Sequence, residues 1–315
     1  KGYFESAKGG IVKVKYFDDF LLGEKSDNII NELLNDENCI LIIANSNSTL
    51  TNRNLDQILQ SKKEISFIMP IATDNNLLRK AYLSEYKSIL SMLPNNDIQA
   101  KTIVRIVNSL SKKKTVAIYG DEDNQAYSIN LSRDIADKIR KSDGRIVVEE
   151  LIGPSNSVYN SCEMWPDLEE IPEIIIYVGV SHHGLLLIDQ LSEMGIEVPL
   201  ILTDGCLVPS LSTNCEKYKG RTFIVSPSIL ENEHTLNPSY VNIGSDTYVL
   251  TKKIIEKIDN CSREDVYKLI KERKNELNFT GLAGEYKFND DGNNKGRDYF
   301  IYEMDGAKCK RIKDI

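Results

Sequence analysis

Short continuous apolar runs, rich in β-branched residues, alternate along this chain with longer stretches in which apolar positions recur every three or four residues. The strand candidates are Val12–Asp18, Cys39–Asn45, Glu64–Ile71, Thr115–Gly120, Arg145–Leu151, Glu173–Val180, Pro199–Asp204 and Thr222–Ser226. Several, such as Cys39–Ala44 and Glu173–Val180, show no polar alternation. That is the pattern of strands buried on both faces, as in a parallel sheet covered by helices. Between them lie amphipathic helices. Ile103, Ile106, Val107 and Leu110 form an i, i+3, i+4, i+7 stripe after the capping candidates Asn95 and Asp97. Leu187, Leu191 and Met194 form another, closed by Gly195 as a helix stop, and Leu250, Ile254 and Ile258 continue the pattern. The alternation predicts an α/β chain with two open, doubly wound sheets.

Boundary candidates fall at Ser109–Lys114 and at Ser226-Pro227-Ser228. The tail changes character. Gly281–Asp290 and Arg297–Met304 read as strands joined by the polar turn Asn289–Asn294. A length of 315 residues suggests two domains, at about 100–200 residues each. Hydrophobic residues at 41% and charged residues at 27% are ordinary globular composition. No apolar run approaches the ~20 residues that span a bilayer. With 47 acidic against 39 basic side chains the net charge is −8, which argues against a nucleic-acid partner, whose phosphates need clustered Lys and Arg. The longest basic run, Lys112–Lys114, reads as a solvated turn.

The chemistry expected of an enzyme is sparse. There is no P-loop, no Gly-x-Gly-x-x-Gly dinucleotide fingerprint and no Gly-x-Ser-x-Gly elbow. Six cysteines occur without a C-x-x-C pair, so their spacing supports neither a zinc site nor a redox motif, and no cofactor is expected. Cys206 and Cys215 lie close together in what reads as one loop; a disulfide and two free thiols are both compatible with that spacing. His182-His183 is the most enzyme-like feature, but the pair reads as loop histidines capping the following helix. His234, beside Glu231 and Glu233, reads as solvated, and Trp165 as surface packing.

In an open α/β sheet, ligands bind outside the carboxyl ends of the strands. The residues there are Asn45–Thr49, Ala72–Asp74, Gly120–Asp123, Ser181–Gly184 and Asp204-Gly205. Hydroxyls, amides and a few carboxylates make a hydrogen-bonding pocket for a small polar ligand rather than a reaction centre. Asp204 fits either a pairing with a cationic ligand group or an Asx-turn with Gly205. Ser46 and Ser48 fit N-capping of the helix that includes Leu55–Leu59, which is compatible with holding an anion there.

The order of these segments resembles the type I periplasmic binding proteins, specifically the branched-chain amino-acid solute-binding branch that includes receptor ligand-binding regions. The matching pieces run along nearly the whole chain. They are Lys8-Gly9-Gly10-Ile11 with Tyr16–Asp19, Ser46–Thr49, Met69–Thr73, Pro94–Ala100, Val116–Asp121, Met194-Gly195-Ile196 through Thr203-Asp204-Gly205, and Phe279–Gly284 with Phe288–Gly292.

The resemblance implies two Rossmann-like lobes joined by a multi-strand hinge, 1–112 plus 227–297 and 113–226 plus 298–315, closing on a ligand in the cleft. It implies an extracytoplasmic, non-enzymatic solute-binding protein of an ABC transporter, or a sensor ectodomain. Its partners would be an amino-acid-like small molecule and a membrane permease or fused signalling domain. A cytoplasmic ligand-sensing regulator of the same fold is the alternative. In the amino-acid binders of this family the positions of Ser46, Ala72 and Thr73 hold the ligand carboxylate, and that of Asp204 receives the ammonium. Ser48 belongs to the same serine-rich loop. Aromatic residues usually flank the ligand in the second lobe; Tyr127 stands near the first of those positions, and Ser181, not aromatic, at the second. The family usually carries a strand and most of a helix ahead of the Gly-Gly-Ile turn, so a further stretch is expected before Lys1.

Overall fold

A computed structural model describes residues 2–6, 8–44, 47–153, 162–163, 165–208, 210–227, 238–305 and 308–313. The chain forms two compact units, Lys1–Asn95 with Tyr240–Arg297, and Asn96–Ser239 with Asp298–Ile315.

Unit 1 begins with an antiparallel pair, β1 (Tyr3–Glu5) and β2 (Ile11–Lys13). Three parallel strands follow, separated by helices: α1 (Gly23–Asn35), β3 (Leu41–Ile43), α2 (Ser48–Ser61), β4 (Ser66–Met69), α3 (Asn75–Leu83) and β5 (Ile89–Ser91). β3 is one edge of this sheet. It lines a groove of about 1060 Å³ together with Val12, Ile30, Thr247 and Ile255.

In unit 2 the elements are α4 (Asn96–Leu110), β6 (Thr115–Asp121), α5 (Gln125–Lys141), β7 (Arg145–Ile152), β8 (Ile174–Val178), α6 (Ser181–Glu193), β9 (Leu200–Thr203), α7 (Leu211–Lys217) and β10 (Thr222–Ser226). The chain then returns to unit 1 with α8 (Pro238–Lys257), α9 (Arg263–Arg273), β11 (Phe279–Thr280) and β12 (Glu285–Tyr286). It ends in unit 2 with β13 (Phe300–Asp305) and β14 (Lys308–Ile312). The unit 2 sheet runs β14-β13-β10-β9-β8-β6-β7, with the five strands from β10 to β7 parallel and the last two antiparallel.

The unalternating apolar runs become the central strands: every residue of β6, β8, β9 and β10 is buried. Ile103, Ile106 and Val107 of α4 pack with Ile118 and Ile176 on one face, and Leu187 and Leu191 of α6 with Tyr119 and Tyr177 on the other. Gly195, at φ +67°, follows α6 in the left-handed conformation that suits glycine.

Four expectations need correction. The strand expected over Val12–Asp18 is only Ile11–Lys13. Beyond it the Asp18 and Asp19 carboxylates accept the N–H groups of Phe20 and Leu21, and these turns replace the ladder.

The expected tail hairpin does not form. Phe279–Thr280 pairs with Glu285–Tyr286, whereas β13 pairs with β10 and β14. Asn294 accepts the N–H groups of Lys287 and Gly296 and donates to the carbonyl of Met92, bonds that divert the segment from a ladder. Within it, buried Asp246 of α8 accepts from Leu282 N, Ala283 N and the Tyr286 hydroxyl. A Cβ on Gly281 would lie 2.3 Å from that carboxylate, so only glycine fits the approach.

Trp165 is not at the surface: it is 6% exposed and packs in the unit 2 core. His182 and His183 lie in the first turn of α6 rather than in a loop. His234 falls outside the described residues.

Cys206 and Cys215 are free thiols in a short 3-10 turn and in α7. Burial pushes the Cys215 thiol up to about 12 and that of Cys162 up to about 11. A thiol reagent applied to the native protein is therefore expected to label half-buried Cys39 and Cys261 well before Cys162, Cys206, Cys215 and Cys309. Equally fast release at all six would contradict the packing described.

Candidate functional site

In both units the loops at the carboxyl ends of the parallel strands carry the polar residues singled out in the sequence. In unit 1 the loop after β3 leads directly into α2. Ser46 lies outside the described residues. The residue that caps α2 is Asn47 rather than Ser48; its side chain accepts the Leu50 N–H at 2.8 Å. Ser48 is buried in the first turn. Ala72 and Thr73 are buried in the loop after β4, just ahead of Asp74, which caps α3 by accepting the Asn76 N–H at 3.0 Å. Two helix N-termini thus direct their partial positive charge toward the same end of the sheet, an arrangement that favours an anionic ligand group.

In unit 2 a hydrogen-bonded chain joins two of the expected residues. The Tyr127 hydroxyl donates to Gln99 Oε1 at 3.2 Å, and Gln99 Nε2 donates to Asp204 Oδ1 at 3.0 Å. All three are buried. Asp204 stands directly after β9, in the short turn Asp204–Cys206. Gln99 was not among the expected site residues. Its signal in the sequence is a polar side chain one turn ahead of Ile103, on the apolar face of a helix. Ser181 opens α6, after β8.

A second cluster, unexpected from the sequence, surrounds Asp121 at the end of β6. Its carboxylate is fully buried and accepts the Asp123 N–H at 2.8 Å and the Val180 N–H at 2.9 Å. The His183 ring meets it through Nδ1 at 3.1 Å. The Tyr177 hydroxyl reaches both Asp121 Oδ2, at 3.3 Å, and the Val180 carbonyl, at 3.0 Å, and has one proton for the two. Burial, with Cys206 and Asp121 adding to it, raises the Tyr177 phenol well above its ordinary range, so it stays a donor at all ordinary pH. On the neighbouring loop the Thr203 hydroxyl donates to the Gly179 carbonyl and accepts the Gly179 N–H.

No protein-family model and no curated protein matches this chain. Solved structures do. The leucine-binding protein LivK from Thermotoga maritima superposes with a TM-score of 0.78 at 14% identity, covering 98% of this chain and 89% of that one. LivJ, the branched-chain amino acid transporter substrate-binding protein from Streptococcus pneumoniae, solved with isoleucine, gives 0.74 at 17%, with the same coverage. An ABC transporter substrate-binding protein from Desulfitobacterium hafniense, solved with Leu, gives 0.70 at 16%, covering 94% of this chain and 87% of that one. The fold is that of the type I periplasmic binding proteins.

At these identities the likeness establishes the type I fold alone. These neighbours are named as binding proteins rather than enzymes. Among the described residues no helix is long and apolar enough to cross a membrane.

Proposed function

We propose that this protein is an extracytoplasmic, non-enzymatic solute-binding protein of the ABC-transporter type, or the ligand-binding part of a sensor. Its ligand is an amino acid or a close derivative, and its macromolecular partner is a membrane permease or a fused signalling domain. The observation that carries the reading is Asp204, a buried carboxylate at the end of β9 oriented through Gln99 by Tyr127.

A buried carboxylate beside neutral donors suits an ammonium group. The N-termini of α2 and α3, with Ser48, Ala72 and Thr73 beside them, suit a carboxylate. An α-amino acid carries both groups. The roles of Ser46, Ser48, Ala72, Thr73, Tyr127, Ser181 and Asp204 as ligand contacts are part of the proposal. So are the neighbours' ligands, leucine and isoleucine, as guides to the class.

Isothermal titration with the twenty common amino acids and their amides tests it. At least one α-amino acid is expected to bind at one per chain, with its amide or its N-acetyl form much weaker. Failure of all of them to bind would reject the ligand class.

A further inference from the structure

The strand order β7-β6-β8-β9-β10 reverses direction between β6 and β8. In an open α/β sheet the crevice at such a switch point, outside the carboxyl ends of the two strands, is where ligands gather. The side chains there are Asp121, at the end of β6, Asp123, in the turn that follows it, and His183, in the first turn of α6 after β8. Each offers a ligand atom, and these atoms lie within 4.8 Å of one another.

The hydrogen bonding sorts their roles. Asp121 is an acceptor already holding two backbone N–H groups, so the imidazole nitrogen facing it, Nδ1, carries the proton. That leaves the Nε2 lone pair of a ring that is only 7% exposed pointing at Asp123 Oδ2, 3.7 Å away. A proton on Nε2 would not close this gap, since 3.7 Å is beyond hydrogen-bond range. A divalent ion would: with metal–ligand bonds of about 2.0–2.1 Å, two ligands of a tetrahedral site stand roughly 3.3–3.4 Å apart. The Asp123 side chain is 65% exposed and free to close the difference. Asp121 then plays the part that carboxylates commonly play behind a ligating histidine, holding the tautomer and the ring plane through Nδ1–H.

We infer that His183 Nε2 and Asp123 form a binding site for a divalent transition-metal ion, with Asp121 positioning the imidazole. One imidazole and carboxylate oxygen suit Zn²⁺ or Co²⁺ better than Ca²⁺, which prefers oxygen throughout. Solvent fills the remaining positions, because Asp123 opens to water. The inference does not depend on the amino-acid reading, since Asp204, Gln99 and Tyr127 take no part in it.

The test is titration of untagged protein with Zn²⁺ alone, and with Co²⁺ followed by visible absorption, after the accessible thiols have been alkylated. One ion per chain is expected to bind. Asp123→Asn is expected to weaken it at least tenfold with the thermal unfolding midpoint unchanged, because the residue 123 N–H that Asp121 accepts is retained. His183→Gln is expected to abolish it, along with the nitrogen-ligand signature in the Co²⁺ spectrum. Wild-type affinity in Asp123→Asn, or no stoichiometric binding by the wild type below millimolar metal, overturns the site and leaves a solvated histidine–carboxylate pair. Loss of metal binding with amino-acid binding intact, or the reverse, separates this inference from the proposed function.

Discussion

Asp204→Ala is expected to weaken binding of an α-amino acid by about 2–5 kcal/mol, roughly 30- to 4000-fold, because an ammonium group would be left desolvated without its counter-charge. The side chain is buried and fixed by the Gln99 amide at 3.0 Å, so no neighbouring water readily takes its place. Asp204→Asn separates charge from shape. It keeps the volume, and the Gln99 amide can turn to pair with it, so the fold survives while the charge is lost. Titration calorimetry on both variants reads the result. Affinity within threefold of wild type in Asp204→Asn would show that the ligand presents no cation there, and the ammonium assignment would fall.

The largest stability effect is expected at Asp121. Asp121→Ala removes the acceptor for the Asp123 and Val180 N–H groups, whose bonds are half-buried, and for the His183 ring, whose bond is buried. An orphaned donor shielded from water costs about 1–3 kcal/mol, and with two of the three only half-buried the sum is expected to be about 3 kcal/mol. Trp165 is the sole tryptophan and is packed in the unit 2 core, so urea unfolding followed by its fluorescence reports this unit directly. A loss below about 1 kcal/mol would mean that the donors find other partners and that the carboxylate is not the hub described.

Much of the architecture was legible in the apolar pattern, because a strand buried on both faces has no freedom to carry polar residues. Ile174–Val178 and Thr115–Asp121 are the plain cases. The shorter pieces escaped. Ile89–Ser91 is three residues long, with no room for a period to show. In Lys308–Ile312, Cys309 is the one fully buried residue, and the flanking lysines mask it. The tail misled because side-chain hydrogen bonds from Asn294 and Asp246 compete with the ladder, and such bonds leave no periodic trace.

The sites divide in the same way. Positions just beyond strands follow from the strand boundaries, so Ala72, Thr73 and Asp204 could be named in advance. Gln99 meets Asp204 across 105 residues of chain, and His183 meets Asp121 across 62. Only the topology brings those pairs together.

The interleaving of the two units also sets the order in which they can fold during synthesis. The parallel strands of unit 2 lie in one uninterrupted stretch, 115–226, so their helices and strands can pair as they emerge. Unit 1 has no such freedom. Phe4, Ile40, Ile68 and Leu90 bury themselves against Ile243, Leu250, Ile254 and Phe288, the nearest of which is made 153 positions after Leu90. The first-made unit must therefore wait on the ribosome with an unfinished core while the second-made one collapses, and its apolar strands are the part of the nascent chain most exposed to wrong partners.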